Sequence, residues 1–168
     1  METLKTQIQG QSFVLRPATR SDIPVISEII SSVFDEYGWK FVEIDELPDF
    51  VFFEKHYANP ENAVLFSIID ESDQVVGSIA LKNDGRGPYL SRVYLRAAYR
   101  GLGLGKWMTN YMMEMAKSRG FNSIYLWTDT RFLGAHRMYE RLGFRMTGEL
   151  RSLHDVNRSF EFKMEAGL

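Results

Sequence analysis

The stretch YLSRVYLRAAYRGLGLGK, residues 89–106, decides how this chain is read. Tyr89, Val93, Tyr94 and Leu95 are the aromatic and branched types that suit a pleated strand. The chain then turns through Arg96–Arg100 into Gly101-Leu-Gly-Leu-Gly105. Beyond it, Leu104, Trp107, Met108, Tyr111, Met112, Met115 and Ala116 recur at helical spacing, and Gly120 marks the stop. A strand, a glycine turn and a helix start together make an anion site. The first helical amides lack partners within the helix, and glycines remove the side chains that would hold a phosphate away. Arg100 and Lys106 add positive charge at the two ends of the turn. Two familiar phosphate loops fail here. G-x-G-x-x-G would need glycine at Lys106 or Met108, and the P-loop would need a longer spacer and Ser or Thr at Trp107.

Arg100-x-x-Gly103-x-Gly105 does match a pattern. It resembles the acyl-CoA loop, R/Q-x-x-G-x-G/A, of the GCN5-related N-acetyltransferases. A second segment resembles the same family: SIYLWTDTRFLGAHRMYERLGFRMTGE, Ser123 to Glu149, in which Ala135, Tyr139 and Leu142-Gly143-Phe144 follow an A-x-x-x-Y-x-x-L-G-F signature. The opening R-P-A-T-x-x-D, Arg16 to Asp22, is also one the family commonly shows.

Composition narrows the class independently. The chain has 168 residues, 45% hydrophobic and 25% charged, which fits one globular domain spanning 1–168. A net charge of −2 argues against nucleic acid or an anionic membrane as partner. No apolar run approaches a membrane span and the first residues lack a signal-peptide core, so the expected location is cytoplasmic. There is no Cys, hence no disulfide or thiolate site. His56, His136 and His154 form no metal-binding spacing, so no metal is expected.

Read in order, residues 13–18 suggest a strand and Ser21-Asp22 a helix start, with Ile23, Ile26, Ile29, Ile30, Val33 and Phe34 as its apolar stripe. A second helix is expected from about Pro48 to Tyr57. Residues 63–69 and 75–81 read as a hairpin, 124–127 as a buried strand and 131–142 as a helix, with closing strands at 144–150 and 160–164. The order β-α-α-β-β-β-α-β-α-β-β is α/β. The resemblance implies a single-domain mixed sheet with helices on both faces.

The resemblance also implies a chemistry: acetyl-CoA as co-substrate, and direct attack by a primary amine, from a small molecule or a peptide's amino terminus, with no covalent enzyme intermediate. Tyr139 matches the family's tyrosine that protonates the leaving thiolate, and a phenol with a pKa near 10 can donate at neutral pH. Val93, Tyr94 and Leu95 match the strand that meets the pantetheine arm through its backbone. Arg100, Gly101, Leu102, Gly103, Leu104, Gly105 and Lys106 match the pyrophosphate loop. Phe132 stands where many relatives carry a CoA-binding Asn, and Tyr89 where many carry a Glu base. Deprotonation then falls to water, to backbone carbonyls or to a residue such as Glu36, Asp129 or His154. The acidic, aromatic segment from Asp35 to Asp49 is expected to border the acceptor and draw in a cationic amine, with Glu36, Tyr37, Trp39 and Tyr89 as contacts. A homodimer is left open. The rival reading is an acyl-CoA-binding sensor or interaction module without turnover.

Overall fold

The computed structural model describes residues 3–168. The strands are β1 (Leu4–Ile8), β2 (Gln11–Pro17), β3 (Ala63–Ile69), β4 (Val75–Asn83), β5 (Pro88–Leu95), β6 (Ser123–Asp129), β7 (Arg145–Ser152) and β8 (Phe160–Gly167). The helices are α1 (Ile23–Glu36), three single-turn pieces α2 (Glu43–Glu46), α3 (Pro48–Val51) and α4 (Phe53–His56), then α5 (Leu104–Ser118) and α6 (Leu133–Arg141). The strands hydrogen-bond in the order β1-β2-β3-β4-β5-β6-β8-β7. β5 and β6 run parallel, while β1–β2, β2–β3, β6–β8 and β7–β8 are antiparallel, so the sheet is mixed and flanked by helices as expected. Backbone contacts group into two compact units, Met1–Ala80 with Arg92–Gly105, and Leu81–Ser91 with Lys106–Leu168.

In the first unit the sequence expectation misses β1. LKTQI is polar, but it pairs with β2 across Gln9 and Gly10, both at positive φ (51° and 80°), the primed turn that matches strand twist. The R-P-A-T-x-x-D motif is a lock. Arg16 donates two hydrogen bonds to Asp22 (2.7 and 3.0 Å), and the Thr19 amide (2.8 Å) and Ser67 hydroxyl (3.1 Å) bond to the same carboxylate. It holds the start of α1, whose Ile23, Ile26, Ile29, Ile30 and Phe34 bury into one cluster with Leu47, Phe50, Leu65, Ile69, Val75 and Ala80. The expected helix over 48–57 is interrupted, because Leu47 and Phe52 take non-helical backbone (φ −128°, ψ 51° and φ −107°, ψ 45°) so that Leu47 and Phe50 can turn inward. On β4, Gly77 passes close to β5: a Cβ built there would lie 2.6 Å from both Tyr94 O and Leu95 Cδ2.

In the second unit, α5 buries Leu104's successors on its apolar stripe, Met108, Met112 and Ala116, and β6 buries Ile124 and Leu126. The edge strand β7 is exposed along nearly its whole length, with a bulge between Met146 and Leu150. Arg151 lies over the Trp127 ring, 4.2 Å from its centroid.

Candidate active site

The glycine turn has the form that the sequence suggests. A short 3-10 turn, Ala97–Tyr99, follows β5 and is fixed by the Tyr99 hydroxyl donating to Asp70 (2.6 Å) and by the Tyr99 ring edge-on to Phe13 (6.0 Å). Gly101 and Gly103 then adopt φ of 76° and 103°, which side-chain-bearing residues seldom reach. A Cβ on Gly101 would meet nothing within 4 Å, and one on Gly103 only Ile8 Cγ2 at 4.0 Å. The turn is therefore an open cradle of backbone that leads into the first amides of α5. These residues fit a pyrophosphate.

Arg100, at the start of the turn, has protein partners that the sequence does not announce. Its Nη1 and Nη2 donate to the Glu36 carboxylate (2.7 and 2.8 Å) and its Nε to Leu95 O (3.1 Å). The hydrogen bond from Arg100 holds Glu36 below the usual carboxylate range. Glu36, expected beside an acceptor, is thus paired with Arg100 and remains 40% exposed.

The strand Val93–Leu95 is half-buried. It is preceded by a feature that the sequence reading passes over. Arg92 sits mid-strand at φ 54°, its carbonyl held by the fully buried Ser78 hydroxyl (2.8 Å). Its side chain turns to α3, where Nε (3.2 Å) and Nη2 (2.5 Å) donate to Asp49, which also accepts from the Tyr57 hydroxyl (2.6 Å). The Phe50 ring lies 5.4 Å from the guanidinium. The available signal was an arginine inside a mostly apolar strand.

Along the acidic segment, Tyr37 and Trp39 stack at 4.5 Å, and Trp39 and Phe41 each meet Phe34 edge-on (5.5 and 5.3 Å). Glu43 accepts from Ser27 (2.6 Å). Glu36 and Asp49 are thus paired with arginines, and Glu43 with a neutral hydroxyl that leaves its charge in place.

In the second unit, Tyr139 is buried on α6, edge-on to Phe144 at 5.6 Å. The helix is anchored by His136 Nε2 donating to Asp129 O (2.9 Å). Phe132 occupies the position just before α6. Asp129 is held by the Arg131 side chain (2.8 and 2.7 Å) and the Arg131 amide (2.9 Å), so it is tied rather than poised as a base. His154 lies exposed at φ 52°. Tyr89 stacks on Tyr125 at 5.3 Å. Burial, together with a hydrogen bond to Asp84, pushes the Tyr125 phenol up to about 12. Among the described residues no group of three or more His, Cys, Asp or Glu is gathered to hold a metal, and no helix is long and apolar enough to cross a membrane.

Comparison with known proteins agrees with this arrangement. The chain is 32% identical over 145 residues to the N-acetyltransferase YjgM of Escherichia coli K12, itself uncharacterized, covering 82% of this chain and 84% of that protein. Its fold is similar to that of a GNAT-family acetyltransferase from Staphylococcus aureus MU50 (TM-score 0.78, 24% identity, 93% and 99% of the two chains). It is similar also to that of the PaiA N-acetyltransferase from Thermoplasma acidophilum, solved in complex with coenzyme A (TM-score 0.74, 16% identity, 93% and 99%). The profile described as the Acetyltransferase (GNAT) family matches residues 28–144, which take in the glycine turn, Tyr139 and Phe144 alike. With a family profile over most of its length and a relative matched nearly end to end, the chain belongs to the GNAT acetyltransferase family.

Proposed function

We propose that the protein is an acetyl-CoA-dependent N-acetyltransferase acting on a primary amine. The observation that carries the reading is the open backbone cradle at Gly101 and Gly103, between a strand and a helix N-terminus. Acetyl-CoA, when bound, supplies an activated acetyl group as a thioester. The amides from Gly101 to Lys106 receive the pyrophosphate, and the backbone of Val93, Tyr94 and Leu95 aligns the pantetheine arm and polarises the thioester carbonyl. The amine nitrogen forms the new C–N bond as the C–S bond breaks. Tyr139 gives its phenolic proton to the departing sulfur, solvent takes the proton that the amine loses, and solvent returns a proton to the Tyr139 phenolate. Glu36 and Asp129 are poor candidates for that last step, since each is held as a carboxylate partner to an arginine. Phe132 packs beside the arm without the family's amide contact, and Tyr37, Trp39 and Tyr89 border the acceptor.

Calorimetric titration with CoA and thiol release over a panel of amines test this reading. Wild type is expected to bind CoA and release thiol with at least one amine. Gly103→Val is expected to lose CoA binding while its unfolding transition persists. Tyr139→Phe is expected to keep CoA affinity and lose about 10²–10⁴-fold in kcat. A kcat within about twofold of wild type would make Tyr139 a packing residue. CoA binding without any thiol release would favour a silent sensor.

A further inference from the structure

We propose that Arg92 is the residue that recognises the acceptor, and that the acceptor is a small amine carrying its own carboxylate, such as an amino acid. This rests on the transferase reading above and deepens it by naming the substrate class. Arg92 immediately precedes Val93–Leu95 in the same strand, so whatever fixes its backbone also bears on the segment assigned to the thioester.

Three observations separate Arg92 from a purely architectural arginine. The first is the edge it leaves open. Asp49 takes the side of the guanidinium through Nε and Nη2, and Nη1 has no hydrogen-bond partner among the described residues, while 20% of the side chain remains accessible. The edge formed by Nη1 and the second Nη2 hydrogen is the fork that matches a carboxylate with two parallel bonds. Nη1 is not among the buried unpartnered atoms, so this edge is open to solvent and to a ligand.

The second is the cost of keeping it there. A buried ion pair is at best weakly stabilising against an apolar pair of similar volume, so stability alone gives little reason for Arg92 and Asp49. The third is the backbone. Arg92 holds φ 54° in the middle of a strand, a conformation disfavoured for a bulky residue, and Ser78 spends its only hydroxyl, fully buried, on the Arg92 carbonyl. Such over-determined strain gathers where a side chain must be aimed. The guanidinium carbon lies over the Phe50 ring, 5.4 Å from its centroid, and Asp49 bonds two of its nitrogens, so the group is held from two sides.

Matched amine pairs test this directly: an amino acid against its amide, and against the amine that lacks the carboxyl group. With wild type, kcat/KM for thiol release is expected to be at least about tenfold higher for the carboxylate-bearing member, the scale of one charged hydrogen-bonded contact. In Arg92→Lys, which keeps a cation against Asp49 but loses the fork, that ratio is expected to fall towards one, mainly through KM. A double variant, Arg92→Met with Asp49→Leu, replaces the pair by apolar volume and is expected to show the same loss. This covers the case in which the single variant does not fold. Turnover without a carboxylate preference in wild type, or a preference that survives in both variants, overturns the inference while leaving the transferase reading intact. Failure of wild type to bind CoA, or to release thiol with any amine, overturns both.

Discussion

Arg100 and Arg92 lie in the same unit, and each holds a carboxylate with two hydrogen bonds, yet the two pairs are built in opposite ways. Glu36 meets Arg100 end-on at Nη1 and Nη2, and the two side chains are 39% and 40% exposed. Asp49 meets Arg92 from the side, at Nε and Nη2, with exposures of 20% and 4%. Water screens the first pair, so its two charges can part at little cost. Separating the second would leave a charge stranded away from water. The end-on pair uses up the fork of its arginine, whereas the side-on pair leaves a fork free. Identical chemistry therefore yields a replaceable contact in one place and a fixed, aimed cation in the other.

Breaking the buried pair is expected to have the largest effect. Asp49→Ala leaves Arg92 without its counter-charge and should lower unfolding stability by about 3–5 kcal/mol in urea titration. A loss below about 1 kcal/mol would place Arg92 with the exposed pairs. Arg16–Asp22 tests the middle ground. Burial raises the Asp22 pKa, but Arg16, the Thr19 amide and Ser67 outweigh it and hold the carboxylate below its ordinary value. A group whose pKa is lowered on folding binds protons more readily when unfolded. Its contribution is complete above the unfolded value of about 3.9 and is lost as pH falls towards the lower folded value. The urea midpoint of wild type is thus expected to drop between pH 5 and pH 3 more steeply than that of Asp22→Asn, and equal slopes would contradict the assignment. The smallest effect belongs to the exposed pair. Glu36→Gln should change stability by no more than about 0.5 kcal/mol. Because it releases the Arg100 fork, it should also tighten CoA binding, measured by calorimetry. Weaker CoA binding in this variant would mean that Glu36 orients Arg100 for the phosphate rather than competing with it.

The same contrast explains what was legible in the sequence. The turn from Arg100 to Lys106 and the helix after it could be read because their signals are local: glycines where φ is positive, and an apolar stripe of period 3.6. The helix that carries Tyr139 could be read because Ala135 and Leu142-Gly143-Phe144 lie within it and its exit. The Asp49–Arg92 pair joins residues 43 positions apart, and no local pattern announces it. Nor could the engagement of Glu36 by Arg100 be foreseen, at a separation of 64. Within the acidic segment, Glu36 and Asp49 meet arginines that its local composition does not announce. β1 was missed for a different reason. An edge strand with partial burial needs no apolar face, and LKTQI carries only a weak alternation.

The close approach at Gly77 has a consequence for how this sequence can drift. An added methyl would collide with two atoms of different kinds, Leu95 Cδ2 and Tyr94 O, each at 2.6 Å. A second substitution shrinking Leu95 could relieve the first collision. None could relieve the second, because the carbonyl belongs to the backbone and is present whatever residue stands at 94. Position 77 is thus closed to compensation. A lineage can leave glycine there only by parting β4 from the very strand that carries Arg92, Tyr94 and Leu95.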